Sequence, residues 1–308
     1  MNQKSKTIVF FGSGPVAAKA LQLLSENFNV EAVITKPKPE HHRGSFPTIE
    51  MAESLGMKVL TASNRSELKT LISTQEFKSD IAVLIDYGII VDQPIIDSFP
   101  LGIVNSHFSL LPEWRGADPI TFSILSGQGE TGVSLMLLVE AMDEGPLLAQ
   151  SPFKIEKDMT TPALTEKLIE LSDALLNNIL PEYIQGHVQP FDQIEASIAQ
   201  VESPSYSRRL TKLDGKLDWQ KSAEALEREI RAFADWPKSY TEITGSQIVI
   251  TQAHATDDSG NPGTIWINNK QFGIYCGEGL LVVDKLKPSG KQEMSTEAYL
   301  AGHKLEQA

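Results

Sequence analysis

Short apolar runs alternate with helix-period stretches along the first half of the chain. Thr7-Ile8-Val9-Phe10-Phe11 closes at Gly12 and predicts a strand. Pro15 then opens a helix in which Ala20, Leu21, Leu23 and Leu24 repeat at helical spacing. The same reading predicts strands over 30–35, 58–60 and 81–85, with helices over 48–55 and about 66–74 between them. The run 81–85 is continuously apolar, as expected of a strand covered on both faces in a parallel sheet. Gly102-Ile103-Val104 ends another buried strand, followed by a helix over 121–125, a strand over 131–139 and a second apolar run over 147–149. Thr161-Pro162 caps a long helix whose Leu164, Leu168, Leu171, Leu175 and Ile179 form a stripe expected to pack on the sheet, with Pro181, Gly186 and Pro190 ending it. This alternation predicts an α/β, doubly wound Rossmann-like domain over residues 1–184.

Residues 185–205 read as a linker that closes with Ser203-Pro204-Ser205, and 206–308 as a second unit. In it a helix over 222–234 puts Leu226, Ile230 and Phe233 on one face, and Asp235-Trp236-Pro237 breaks it. Five short strands follow over 240–243, 247–254, 263–267, 271–276 and 280–286, with Gly- and Asn-rich turns. They predict a small OB-like β-barrel. There are no internal repeats or low-complexity tracts.

Length and composition, 308 residues with 41% hydrophobic and 22% charged, allow two globular cores. The lone Cys276 excludes an internal disulfide framework. Lys4 and Lys6 before an apolar run resemble a signal peptide, but the run stops at Gly12, and no segment is long enough to span a bilayer, so a cytoplasmic protein without membrane contact is expected. A net charge of −13 argues against a broad nonspecific nucleic-acid binder. The acidity is uneven: from Pro204 on, 13 Lys and Arg face 14 Asp and Glu, against 14 and 26 before it. A polyanionic partner would be held by local basic patches.

Candidate chemistry begins at Gly12-Ser13-Gly14-Pro15-Val16-Ala17, a G-x-G-x-x-A string after a strand. The next strand ends at Thr35-Lys36 without the acid that would hold a ribose hydroxyl, which disfavours NAD and leaves NADP only Lys36 and Lys38. A Gly-rich turn without nucleotide fits better. His41-His42 lack the spacing and third ligand of a zinc site, and Asp143-Glu144 have no further ligand at a recognisable spacing, so no metal is expected. Asn105 and His107 stand two apart on a strand and so share a side. A carboxamide offers fixed N–H donors and an imidazole can donate, accept or carry a proton, which suits a developing oxyanion and a moving proton. An isolated Asn-x-His is more often a turn or a satisfied polar pair. A covalent hydrolase built on Ser106 or Ser109 lacks the Gly-x-Ser-x-Gly elbow.

The longer string 105–119, with Asn105-Ser106-His107, Ser109-Leu110-Leu111-Pro112, Trp114-Arg115-Gly116-Ala117 and Pro119-Ile120, resembles the folate-dependent formyltransferases, specifically their methionyl-tRNA formyltransferase branch. The resemblance runs along nearly the whole chain, including Asp218-Trp219, Ile230-Arg231-Ala232-Phe233, Trp236-Pro237 and the Pro-x-Gly-Lys of 288–291. It implies formyl transfer from 10-formyltetrahydrofolate, a co-substrate, to the amino group of initiator methionyl-tRNA, by a monomer. Asn105, His107 and Asp143 are the implied catalytic residues; Tyr87, Gly88, Ser109, Leu110, Leu111 and Pro112 are the implied folate contacts. Lys36, Lys38 and Arg43 lie in a basic loop implied to engage the tRNA. That loop is shorter than the family's, and Pro146 stands where a second aspartate is usual. Rival readings are the same chemistry on an amino-sugar nucleotide or glycinamide ribonucleotide, and a nonenzymatic tRNA- or nucleotide-binding protein.

Overall fold

The computed structural model describes residues 6–38, 44–196, 198–199, 201 and 203–305. Two compact units emerge: one comprises residues 1–119, 130–154 and 165–207, the other 120–129, 155–164 and 208–308. Arg43, expected to contact tRNA, and His41-His42 lie outside the described residues.

In chain order the elements through residue 207 are β1 (Thr7–Gly12), α1 (Pro15–Asn27), β2 (Asn29–Thr35), α2 (Pro47–Ser54), β3 (Val59–Thr61), α3 (Arg65–Thr74), β4 (Ala82–Ile85), α4 (Gln93–Ile96) and β5 (Ile103–His107). Then come β6 (Arg115–Gly116), α5 (Pro119–Ser126), β7 (Glu130–Leu137), β8 (Leu147–Lys154), α6 (Thr161–Ile184), α7 (Gln193–Ala196) and β9 (Tyr206–Ser207). Seven strands form one sheet in the order β3-β2-β1-β4-β5-β7-β8. The first five are parallel, and β7 and β8 close the edge antiparallel.

The central strands β1 and β4 carry almost unbroken apolar sequence because helices cover both faces, whereas β5 begins apolar at Ile103-Val104 and ends in the buried polar residues Asn105, Ser106 and His107. Phe10, Phe11, Val83 and Val104 are wholly buried, and burial of such side chains contributes roughly 2 kcal/mol each. Strand order reverses between β1 and β4. In an open α/β sheet that reversal opens a crevice at the carboxyl ends of the strands, and the 86–88 and 105–107 segments end there.

The sequence reading needs two corrections in α6. Pro181 does not end the helix, which runs on to Ile184. Proline lacks one N–H and clashes with the preceding turn, but here only a last partial turn follows it. The buried stripe is Leu164, Leu168, Ser172, Leu176 and Leu180, with Ile169 beside it, whereas Leu171, Leu175 and Ile179 are only half-buried. Ser172 belongs in the stripe because its hydroxyl pairs with that of Ser106, 2.7 Å away, a polar position the apolar pattern skips. Residues 185–205, expected as a linker, contain α7, and Phe191 forms a β-bridge with Leu147. Arg115 and Gly116 pair in parallel with Tyr206 and Ser207, so this stretch is stitched to the first unit up to Ser207.

The second unit contains a 3₁₀ turn (Lys212–Gly215), α8 (Ala223–Ala232), β10 (Tyr240–Ile243), β11 (Ser246–Thr256), β12 (Ile265–Ile267), β13 (Phe272–Tyr275), β14 (Leu280–Pro288), β15 (Met294–Ser295) and α9 (Thr296–Gly302). Its antiparallel sheet runs β10-β11-β14-β13-β12, with β15 added on β14, so a sixth strand joins the five expected. Register shifts around Gln252 mark bulges in the long β11, the device that bends a strand around a barrel-like core. The arrangement is an antiparallel half-barrel; Leu226 and Ile230 of α8 pack in its core with Ile248, Phe272, Leu281 and Leu286. Among the described residues no helix is long and apolar enough to cross a membrane.

Candidate active site

Strand β5 places Asn105 and His107 on one side, both buried, and the loop between β7 and β8 brings Asp143 to them. The Asn105 carboxamide Nδ2 lies 3.4 Å from Asp143 Oδ1, and His107 Nδ1 lies 3.8 Å from the same oxygen. His107 Nε2 is 3.0 Å from the Trp114 carbonyl. A carbonyl can only accept, so Nε2 carries a hydrogen and Nδ1 is the ring nitrogen turned to the site. The second carboxylate oxygen of Asp143 accepts the Gly116 N–H at 2.7 Å. Two side-chain nitrogens thus converge on one point with contacts too long to be strong, leaving the geometry open to another oxygen between them.

Asp143 has φ 54°, a left-handed conformation that Asp tolerates better than most residues. The backbone around it is fixed by Gln193, a residue nearly fully buried on α7. Gln193 Nε2 donates to the carbonyls of Asp143 and Gly145 at 2.8 and 2.7 Å, while its Oε1 accepts from Arg115 Nη2 at 2.8 Å. Buried Arg115 also pairs with Glu144, 3.2 Å away. One amide therefore ties the Asp143 loop to the strip after β5. Gly145 itself must be glycine, since a Cβ there would land on the Leu137 carbonyl.

That strip is held from its other side by two serines. Ser205 Oγ accepts the Trp114 N–H at 2.8 Å, and Ser207 Oγ accepts the Asp118 N–H at 3.1 Å. Neither Gln193 nor the serines carried a sequence signal: Gln193 and Ser205 sit in the Pro- and Ser-containing stretch 185–205 that reads as a linker, and Ser207 lies just beyond it.

The Ser109–Pro112 segment is buried and pinned internally. Ser134 Oγ donates to the Ser109 carbonyl at 2.7 Å and accepts the Leu111 N–H at 2.9 Å, and Gln150 Nε2 donates to the Leu111 carbonyl at 2.8 Å. Ser109 Oγ donates to the Glu113 carbonyl at 2.5 Å, which leaves it no role as a nucleophile in this arrangement. The Leu111–Pro112 peptide is cis.

Tyr87 does not offer its ring at the surface. It stands edge-on to Phe11 at 5.5 Å in the core, and burial pushes its phenol pKa up. Any ligand contact there is through the backbone of Tyr87 and Gly88. Gly88 has φ 69°, and a Cβ on it would lie 2.9 Å from Lys36 Nζ. Lys36 thus reaches from the end of β2 across to the end of β4, while Lys38 is exposed.

The dinucleotide reading of the glycine turn finds no support. Asp86 Oδ2 lies 3.5 Å from where a Gly14 Cβ would be, setting a carboxylate near the helix start where a pyrophosphate would need room and positive potential. No cluster of three His, Cys, Asp or Glu able to hold a metal occurs among the described residues.

Comparison with known proteins places the chain in a family. The family model "Formyl transferase" matches residues 5–180, and "Formyl transferase, C-terminal domain" matches 209–304. A methionyl-tRNA formyltransferase of Myxococcus xanthus (strain DK1622) is 36% identical over 97% of this chain and 95% of its own length. The crystal structure of an N-formyltransferase from Helicobacter canadensis, in complex with folinic acid and dTDP-3-aminofucose, superposes with TM-score 0.68 at 20% identity, covering 94% of this chain and 99% of that one. The sugar 3N-formyl transferase WlaRD, solved in the presence of dTDP and 5-N-formyl-THF, gives 0.69 at 18% identity, covering 93% and 99%. These two share the fold; the sequence relative and the two family matches, met in order along the chain, establish that it belongs to the formyl transferase family.

Proposed function

We propose that this protein transfers the formyl group of 10-formyltetrahydrofolate to the amino group of methionine carried on initiator tRNA, acting as a monomer in the cytoplasm. The observation that carries the chemistry is the convergence of Asn105 Nδ2 and His107 Nδ1 on one oxygen of Asp143. The acceptor reading is supported by the 36% identity to the Myxococcus xanthus enzyme over 97% of the chain, which weighs more than a shared fold with sugar enzymes at 20% identity or less.

In this reading the formyl oxygen takes the place to which Asn105 and His107 point. The amine lone pair attacks the formyl carbon and the carbonyl electrons collect on oxygen, where each prearranged donor lowers the barrier by about 3 kcal/mol. The Trp114 carbonyl keeps Nε2 occupied, so Nδ1 is the ring nitrogen left to face the formyl oxygen, and it donates there when it bears a hydrogen. Asp143 orients that nitrogen and accepts the proton lost by the amine, directly or through water. Collapse of the tetrahedral intermediate restores the carbonyl, breaks the bond from carbon to folate N10, and sends N10 away with a proton. The backbone at Tyr87-Gly88 and the pinned Ser109–Pro112 segment supply the walls for the folate. Lys36 and Lys38 remain on the strand-end loop for tRNA phosphates.

The test is a set of parallel reactions with labelled 10-formyltetrahydrofolate and, separately, methionyl-initiator tRNA, methionyl-elongator tRNA and an amino-sugar nucleotide. Label is expected on the initiator tRNA with a clear preference over the elongator. Transfer to the sugar alone would overturn the acceptor assignment, and transfer to none would overturn the reading altogether.

A further inference from the structure

Asp86 has no place in the chemistry above, yet it stands at the strand-order reversal. It follows β4 directly, beside the Gly12-Ser13-Gly14 turn through the pairing of Gly12 with Ile85. On its other flank β4 pairs with β5, Leu84 opposite Asn105, so Asp86 lies just past the end of β4 and His107 is the last residue of the neighbouring β5. The residue is exposed but surrounded by protein, with φ 48° holding it in a left-handed turn. Among the described residues its carboxylate takes no hydrogen bond and no ion pair. Lys36 and Asp118 are the charged groups that act on it, one from the end of β2 and one from the start of α5, and the N-terminus of α1 faces it from the Gly14 side. The crowding of protein raises its pKa to about 6, with Lys36 opposing the shift and Asp118 adding to it.

A carboxylate that is confined, unpaired and open on one side calls for a cation. An α-amino group titrates at about pH 8 in a peptide and somewhat lower beside an ester, so around neutral pH a substantial share of an aminoacyl acceptor arrives as an ammonium ion. We propose that Asp86 is the acceptor-side anchor that receives this ammonium and sets its nitrogen beside Asn105 and His107. This rests on the formyl-transfer reading above. The ammonium pairs with Asp86, gives up its proton to Asp86 or to water, and the neutral amine then attacks the formyl carbon. The same carboxylate repels an acceptor that would place phosphate at the start of α1.

The test measures formylation rates against methionyl-initiator tRNA concentration from pH 5.5 to 8 in the wild type, Asp86→Asn and Lys36→Met, with folate affinity followed separately by fluorescence. Asparagine keeps the shape and tolerates the left-handed turn. Asp86→Asn should raise the acceptor KM about tenfold at pH 7.5 while folate affinity stays within twofold. The wild-type acceptor kcat/KM should fall on the acid side with a midpoint near 6, a limb absent in Asp86→Asn and displaced upward in Lys36→Met, where the opposing charge is gone. An unchanged acceptor KM in an otherwise active Asp86→Asn protein, or an equal loss of folate affinity, would overturn the anchor role. Wild-type protein that formylates no acceptor would instead sink the function proposed above.

Discussion

Replacing Gln193 with leucine isolates the clamp on the Asp143 loop. The change keeps side-chain bulk but removes two N–H donors to the Asp143 and Gly145 carbonyls, at 2.8 and 2.7 Å, and the acceptor for Arg115 at 2.8 Å. The two neutral hydrogen bonds count for about 1 kcal/mol each and the charge-assisted one for about 2. Apolar burial of the leucine returns about 1, leaving a net loss of about 3 kcal/mol. Arg115 keeps Glu144, so its guanidinium is not stranded. Because the lost bonds hold a loop, much of the loss should appear as local opening rather than global unfolding. A loop that samples open states lowers kcat by roughly 10- to 100-fold while the folate KM moves little, since 1.4 kcal/mol corresponds to about a factor of ten. Urea melts and single-turnover rates on the same preparations measure both quantities. Gln193→Glu is the companion variant: it still accepts from Arg115 but turns a carboxylate on two carbonyls, so its activity should suffer more than its stability. A Gln193→Leu protein within about 0.5 kcal/mol and twofold in kcat of the wild type would refute the clamp.

Asp143→Asn and Asp143→Ala should both lose at least about 100-fold in kcat, and the alanine should also lower the melting temperature, because only asparagine accepts the left-handed backbone at φ 54° without added strain. Parallel rate and thermal measurements separate the two effects; equal melting temperatures would remove the strain argument. Gly145→Ala should cost more than about 3 kcal/mol or prevent soluble expression, since its Cβ meets a backbone carbonyl that cannot move cheaply. Asp86 supplies a pH prediction of the opposite sign to most carboxylates. Its pKa is raised on folding, so stability falls as pH climbs from about 4 to about 6, and Asp86→Asn should stabilise the protein at pH 7 but not at pH 4. The shift alone corresponds to about 3 kcal/mol, and solvent at the exposed carboxylate brings this down to about 1. Denaturant midpoints at the two pH values test it, and a destabilised Asp86→Asn protein would show that the carboxylate serves the start of α1 instead.

Much of the fold is legible because its cause is local. Apolar runs such as 81–85 and 7–11 have no alternative but burial on both faces, and their carboxyl ends mark the crevice in advance. Asn105 and His107 are legible as a pair because strand geometry alone puts i and i+2 on one side. Asp143 joins them in space, but only the family resemblance singled it out from other loop acids. Gln193 was invisible: it acts on residues about 50 positions away through one amide, and nothing in Phe191-Asp192-Gln193 differs from an ordinary polar connection. Ser205 and Ser207 were hidden for the same reason, because serines near proline signal a flexible joint when they are exposed and a brace when they are not. In α6 the apolar pattern misplaced the buried stripe because a hydrogen-bonded serine pair stood in it.

The short parallel pairing of Arg115–Gly116 with Tyr206–Ser207 has a practical consequence for anyone cutting this molecule into pieces. A boundary drawn at residue 184, where the sheet and its last long helix end, would discard both the amide and the hydroxyls that brace the candidate site. Such a fragment would keep every strand of the main sheet and still be expected to work poorly. A cut made after Ser207 would carry these supports along, so the two truncations offer a direct way to separate possession of the scaffold from possession of a tuned site.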